Sequence, residues 1–470
     1  MCGFVAGNIF KNGEQFLESL SLLDHRGTDY KDHIFDANSG WWLGHNRLSI
    51  QGLTEESNQP ITRKEHTMVY NGELWASNGH TESDTEYLID LYESEETDCI
   101  KDLDGMFAFA IHNEYKKQLV FARDFMGRIP LYFFKRGKEL VVASELKAIA
   151  KPLKLNANDI VLADPGHYYV FDFETGDLKK TKFYDFPTLS QIEDMEEDEV
   201  TTGIRELLTE GVDNELISDV PVCTILSGGV DSTIITYLLK QRIPDLEAFV
   251  VSMEDTGQKD DLYYARLAAK EIGVPLHEVI ISQEWVENNL DLAIYAIEDY
   301  NWTQVSPAVA QLALAKAIHE KGYKVVFGGE GSDELFASYG HVFAWNYENV
   351  PYCKEREKLI LNLHKNNLIR TNKAMMFGGT VELRTPFLHR DLVEFCMKIP
   401  PVYKMDSQRN WKPMLRKAFK GDISDELLYR PKKTFQDGCH TIYLKNHKER
   451  IRESYQSHYG DQDPLATFFV

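Results

Sequence analysis

The sequence predicts two domains of different class in one chain. An α+β sandwich on mainly antiparallel sheets is expected over residues 1–185, and a doubly wound, parallel-sheet α/β domain with a helical C-terminal part over 200–470. Three observations carry this. Alternating apolar runs with tight turns, such as Leu103 to Phe109 and Arg123 to Tyr132, read as neighbouring antiparallel strands. From Phe186 to Glu199 the chain turns acidic and aperiodic, which marks 186–199 as an exposed linker. Beyond it, strand-like runs at Ala248 to Ser252, Glu278 to Ile281 and Lys324 to Phe327 alternate with helical segments, the rhythm of a parallel sheet.

Composition narrows the partners. The 470 residues carry a formal net charge of -23, spread along the chain, which argues against a nucleic-acid backbone or an anionic membrane and for small-molecule substrates. The 6 cysteines show no Cys-x-x-Cys spacing, so neither a disulfide framework nor a zinc site is expected. No apolar run reaches bilayer-spanning length and the start lacks a basic secretory flank; a cytoplasmic location is the expectation.

In the first part, Cys2 stands where removal of the initiator methionine would leave a thiol and a free α-amine on one residue. That amine, with a reference pKa of roughly 7.7–8.0, is a usable base beside its own nucleophile. Polar groups stand beside glycines or at the ends of short apolar runs at His25-Arg26-Gly27, Gly44-His45-Asn46-Arg47-Leu48-Ser49-Ile50, Tyr70-Asn71-Gly72-Glu73 and Ser83-Asp84-Thr85-Glu86. A site that attacks the side-chain amide of free glutamine needs a cation for the α-carboxylate, an anion for the α-ammonium and donors for the oxyanion. Arg47, Asp84, and Asn71 with the Gly72 amide fill those roles. Singly, Arg47 also reads as a surface ion-pair residue and Asp84 as the N-cap of the helix that follows.

Taken together, these motifs resemble the class II glutamine amidotransferase domain of the N-terminal-nucleophile (Ntn) type. Thr28, where that family usually has proline, and Asn46 before Arg47 are small departures. The resemblance implies glutamine contacts from Arg47, Leu48, Ser49, Ile50, Asn71, Gly72, Glu73 and Asp84, with Cys2 as nucleophile.

After an amphipathic helix with Val200, Ile204, Leu207 and Leu208 on one face, Val222 to Ser232 reads as strand, tight loop and helix. In Ser227-Gly228-Gly229-Val230-Asp231-Ser232, the glycines open main-chain N–H groups to an anion, the helix N-terminus adds partial positive charge and two hydroxyls donate. Asp231 beside phosphate calls for Mg2+ between them. No Gly-Lys-Ser/Thr closes the loop, so it is not a γ-phosphoryl-transfer loop. It resembles the pyrophosphate loop of ATP pyrophosphatases.

The strand at 324–327 runs into a second loop, Gly328-Gly329-Glu330-Gly331-Ser332-Asp333-Glu334, at the strand ends where nucleotides sit in such sheets. Asp333 is placed to share Mg2+ with Asp231, and Glu330 to serve the acceptor. Between the loops a helix is expected, with Ser306 as its cap, Pro307 in its first turn and Gly322 at its end. Lys412-Pro413-Met414-Leu415-Arg416 and Arg430-Pro431-Lys432-Lys433 put cations near this acidic chemistry, and Lys432 is the candidate to neutralise developing charge.

The whole chain, in order, resembles the glutamine-dependent asparagine synthetases. That resemblance implies ATP, Mg2+, aspartate and glutamine as ligands, a β-aspartyl-AMP intermediate, an internal ammonia passage, release of AMP and pyrophosphate, and a homodimer. It assigns ATP contacts to Leu226, Ser227, Gly228, Gly229, Asp231, Ser232, Val251, Gly328 and Gly329, and catalysis to Cys2, Asn71, Gly72, Glu330 and Lys432. Departures at Gly328 (usually serine), in Trp302 to Pro307 and at His389 (commonly aspartate) keep open a related enzyme amidating another carboxylate. A peptide or β-lactam cyclase without glutaminase activity and an acidic scaffold are the remaining alternatives.

Overall fold

A computed structural model describes residues 1–75, 83–187, 191–253, 260–339, 349–404, 410–431 and 441–460. In the first part, strands β1 (Gly3–Gly7), β2 (Tyr30–Asp36), β3 (Trp41–Arg47), β4 (Ile61–Arg63), β5 (His66–Leu74), β6 (Gly105–Asn113), β7 (Gln118–Arg123), β8 (Tyr132–Arg136), β9 (Glu139–Ala143), β10 (Val161–Leu162), β11 (His167–Asp172) and β12 (Leu178–Lys182) form two antiparallel sheets. Their orders are β10-β8-β9-β1-β3-β2 and β12-β11-β7-β6-β5-β4. Alternation explains the sandwich. Phe4, Leu43, Val69, Ala108, Phe121 and Val142 point between the sheets, while Phe107 and Phe109 of β6 face outward beneath Leu88 and Ile89 of the helix Asp84–Glu95.

The second part holds a parallel sheet of β13 (Val222–Ile225), β14 (Ala248–Ser252), β15 (Leu276–Ile280), β16 (Val325–Phe327) and β17 (Glu382–Arg384), in the order β15-β14-β13-β16-β17. Helices Val230–Lys240, Asp261–Ile272 and Trp302–Glu320 fill the crossovers between its strands. The order turns at β13, so its loop and that after β16 open side by side. This matches the α/β and α+β class read from the sequence.

Four expectations are corrected. Arg123 to Tyr132 is not one strand: Arg123 ends β7, Tyr132 begins β8 in the other sheet, and the intervening turn wraps the buried Asp124 carboxylate. That carboxylate accepts from the amides of Met126 (3.1 Å), Arg128 (3.0 Å) and Ile129 (3.1 Å), which alternation cannot foretell. Glu278 to Ile281 lies partly outside its strand, which spans Leu276–Ile280. The helix expected to start at Ser306 starts at Trp302, because the Asn301 side chain caps the Thr303 amide at 3.0 Å. The Ser306 hydroxyl is engaged by Thr441 instead (2.9 Å to its carbonyl). Finally, the linker is not exposed throughout. Met195 is buried, its carbonyl accepts from Tyr403 at 2.8 Å, and the helix Glu197–Glu215 begins inside the acidic stretch.

The sandwich and the parallel sheet meet through buried charge. Arg128 grips Glu215 through two bonds of 2.8 Å, with both side chains under 5% exposed. Glu298 accepts from the amides of Leu146 (3.1 Å) and Lys147 (2.7 Å) and pairs with Lys373 and Lys147. Paired carboxylates and ammonium groups at this depth stand only because nearly every charge has a counter-charge.

Candidate functional sites

The first site is a small pocket lined by Cys2, Arg47, Leu48, Ile50, Gly72, Glu73 and Asp84, among others. β1 delivers Cys2 at its start, β3 ends on Arg47 and β5 carries Asn71 to Glu73. The Leu48 amide donates toward the Cys2 sulfur at 3.4 Å. Burial pushes the thiol up to about 11, so it needs a base to react at neutral pH. The Cys2 amide donates to Asn71 Oδ1 at 2.7 Å, which leaves Asn71 Nδ2 buried without a hydrogen-bond partner. Such an orphan donor beside a nucleophile is where an oxyanion fits. Gly72 has φ +148, and a Cβ there would fall on the Met106 carbonyl, so no other residue fits this backbone.

Arg47 is not a surface ion-pair residue. Its guanidinium is held by Thr54 O (2.9 Å), Asn58 Oδ1 (2.8 Å), Gln51 O (3.4 Å) and the Gly52 carbonyl. Asp84 is not the N-cap either, because Ser83 takes that role by accepting from the Glu86 amide. Asp84 Oδ2 instead accepts from the Tyr70 hydroxyl (2.7 Å) and the Leu74 amide (3.3 Å), and burial pushes its carboxyl up to about 6. Ser49 does not line the cavity; its amide donates to Asp29 at 2.7 Å.

Sequence reasoning missed what surrounds Cys2. Met1 is buried, its ammonium 3.1 Å from Glu382 of β17 and its sulfur 2.9 Å from Asn372 Nδ2. Arg26 donates to the Cys2 carbonyl (2.8 Å) and to Asn372 Oδ1 (2.9 Å). The signal available was His25-Arg26-Gly27, but its partner lies 346 positions away.

The second site is an open cleft at the ends of β13 and β16, lined by Ser227, Gly229, Asp231, Asp333, Lys412 and Arg430, among others. Gly228 has φ +70 and packs on the Tyr264 backbone, which lets the loop turn. The Ser232 hydroxyl ties the loop to itself: it lies 3.2 Å from the Ser227 amide and 3.1 Å from the Ser227 hydroxyl. Leu226 and Val251 are buried at the strand ends, with the Leu226 amide bonded to Phe249 at 2.8 Å. Gly329 approaches the Asp231 side chain, where an added Cβ would come within 2.9 Å. Gly328 lies against the Glu330 carboxylate: a Cβ there would come within 2.2 Å of Glu330 Oε2, so a larger residue would need that side chain to shift. Burial raises the Glu330 pKa, and its Oε2 has no hydrogen-bond partner. His389 meets Asn214 (3.0 Å) at an inter-helix contact rather than in the cleft.

Asp231 and Asp333 do come together, and between them sits the ammonium of Lys412. It lies 2.7 Å from each Asp231 oxygen, 2.6 Å from Asp333 Oδ1 and 3.1 Å from the Ser332 hydroxyl. Burial opposes the lysine's charge, but the two aspartates outweigh it and hold its pKa above the usual value. Among the described residues no group of three or more His, Cys, Asp or Glu could hold a metal alone. Two hard carboxylate oxygens around one cation are nevertheless the donor set Mg2+ takes when phosphates and water supply the rest. Lys432 lies outside the described residues.

Two family profiles match the chain: Glutamine amidotransferase domain over residues 1–181 and Asparagine synthase over 203–359 and 354–467. Asparagine synthetase B [glutamine-hydrolyzing] of Escherichia coli is 30% identical over 92% of this chain and 80% of its own length. Asparagine synthetase [glutamine-hydrolyzing] 1 of Saccharomyces cerevisiae is 30% identical over 96% of this chain and 87% of its own. The Homo sapiens asparagine synthetase [glutamine-hydrolyzing] is 28% identical over 99% and 89%. No helix among the described residues is long and apolar enough to cross a membrane.

Proposed function

The chain belongs to the asparagine synthase family, and from that premise we propose that it makes asparagine from aspartate and ATP with ammonia cut from glutamine. The observation that carries the reading is the pairing, in one chain, of a half-buried thiol beside an orphan amide donor with a serine-glycine loop that meets a second acidic loop.

At the first site, with Met1 removed, the amine moves onto the Cys2 nitrogen, which Asn71 Oδ1 already holds at 2.7 Å. The amine takes the thiol proton, and the sulfur attacks the side-chain carbonyl of glutamine. Asn71 Nδ2 and the Gly72 amide receive the oxyanion; Arg47 binds the α-carboxylate and Asp84 the α-ammonium. Ammonia leaves, and water releases glutamate. At the second site the 227–232 loop binds the ATP phosphates. The β-carboxylate of aspartate attacks the α-phosphorus and pyrophosphate departs, leaving β-aspartyl-AMP. Ammonia then displaces AMP; in this reading Glu330 takes its proton, and Lys432 is assigned from the sequence alone to steady the leaving charge. Asp231 and Asp333 would hold Mg2+, whose charge offsets that of the phosphates. Placing both sites in one chain would let ammonia reach the acyl-adenylate without release to bulk solvent, where it would protonate and diffuse away. We further propose 186–199 as the divide between the two domains, a cytoplasmic location and a homodimer.

Product identification by mass spectrometry after incubation with 15N-amide glutamine, Mg-ATP and aspartate tests this. Labelled asparagine, AMP and pyrophosphate are expected in equal amounts. Pyrophosphate release that requires a different carboxylic acid would replace the acceptor.

A further inference from the structure

Lys412 enters the second cleft from the residue before the helix Pro413–Ala418, with a left-handed backbone of φ 53. A non-glycine residue rarely adopts that conformation, and it persists only where the surroundings hold it. What it achieves here is placement: the side chain is 1% exposed and its ammonium spans both aspartates at 2.6–2.7 Å. Asp231 also accepts from the Ser332 hydroxyl at 2.7 Å, so each partner of the lysine belongs to one of the two loops. Without a cation between them, two ionised carboxylates this close repel. Arg430, the neighbouring cation, is committed to Asp261 (2.5 Å) and the Ser227 carbonyl (3.0 Å).

We propose that Lys412 is the resident counter-cation of the Asp231 and Asp333 pair, a tethered ammonium that keeps a divalent ion out until the nucleotide arrives. The proposal rests on the reading that these aspartates hold Mg2+. A free divalent ion has to evict an ammonium that is covalently attached and therefore always at high local concentration. When ATP enters, the displaced ammonium gains phosphate oxygens as new anionic neighbours, so eviction becomes favourable. Metal and nucleotide thus bind as a linked pair, each raising the affinity of the other by the same factor. The lysine also holds the two loops together before substrate binds, so the cleft is already assembled.

Mn2+ binding to the full-length chain, followed by electron paramagnetic resonance with and without a non-hydrolysable ATP analogue, tests this. The wild type is expected to bind Mn2+ weakly alone and, with the analogue, about ten-fold or more tightly. Lys412→Gln keeps hydrogen-bonding groups but loses the charge, and should bind Mn2+ without nucleotide about ten-fold more tightly than the wild type. Equal, tight Mn2+ binding by wild type and variant without nucleotide would overturn the role of Lys412 and leave the metal reading intact. Absence of binding even with the analogue would overturn both. Should Lys412→Gln not fold, the wild type decides alone: its unfolding midpoint without nucleotide is expected to stay flat on Mn2+ addition, and a rise of several degrees would sink the proposal.

Discussion

The two sites solve the problem of buried polarity in opposite ways. In the first, each candidate binding group has a fixed scaffold of its own: carbonyls and the Asn58 side chain hold Arg47, Tyr70 holds Asp84, and Asn71 Nδ2 is left over. In the second, the charges face one another, and Lys412 cancels Asp231 and Asp333. The first is a mould awaiting one small amino acid. The second has to exchange internal partners for a large polyanion. The contrast follows from the ligands: a neutral amide can be met by groups that do not move, whereas a nucleotide carries charge that must be balanced on arrival.

The comparison breaks most decisively at Cys2. Cys2→Ala should lower glutamine-dependent synthesis by about a thousand-fold while ammonia-dependent synthesis persists. Equal loss of both would mean the sites do not act separately. The mirror experiment is Asp231→Asn, expected to lower ATP-dependent pyrophosphate release by about a hundred-fold and leave glutaminase turnover unchanged. Asn71→Ala sharpens the first half. Loss of the oxyanion donor should cost about a hundred-fold in glutaminase kcat with a smaller change in KM, and a pure KM effect would reassign Asn71 to ground-state binding.

Arg128→Ala probes what holds the two halves together. It leaves Glu215 buried with the Thr385 amide at 3.0 Å as its remaining side-chain partner among the described residues, and should cost about 3 kcal/mol, read as a lowered unfolding midpoint. The smallest effect is in pH. Because the Asp84 carboxyl is pushed up to about 6, it is ionised above that value and neutral below. Glutamine kcat/KM should therefore fall as pH drops through about 6, and Asp84→Asn should flatten that limb at a lower level.

Much of this was legible in the residues. The strand, loop and helix at 222–239 form where the apolar run, the glycines and the helix formers dictate, and Ala248 to Ser252 is a strand over its full predicted length. Local chemistry sufficed because the information lies within one turn or one strand. Some errors were local, as where Asn301 rather than Ser306 caps its helix, and others fell where a distant partner intervened. Ser306 is claimed by Thr441, 135 positions on, and Met195 is covered by Tyr403. Arg47 is fixed by a loop whose path no periodicity encodes.

Residue order alone therefore determined which chemical groups stand in each loop: the thiol near the start, the serine-glycine cradle, and the acidic stretch after β16. Only the tertiary structure decided how they pair. Lys412 and Asp231 are 181 positions apart, and nothing in either neighbourhood names the other. Hydrogen bonds and ion pairs act over a few ångströms, so a contact between distant positions exists only once packing of the intervening chain has brought them together.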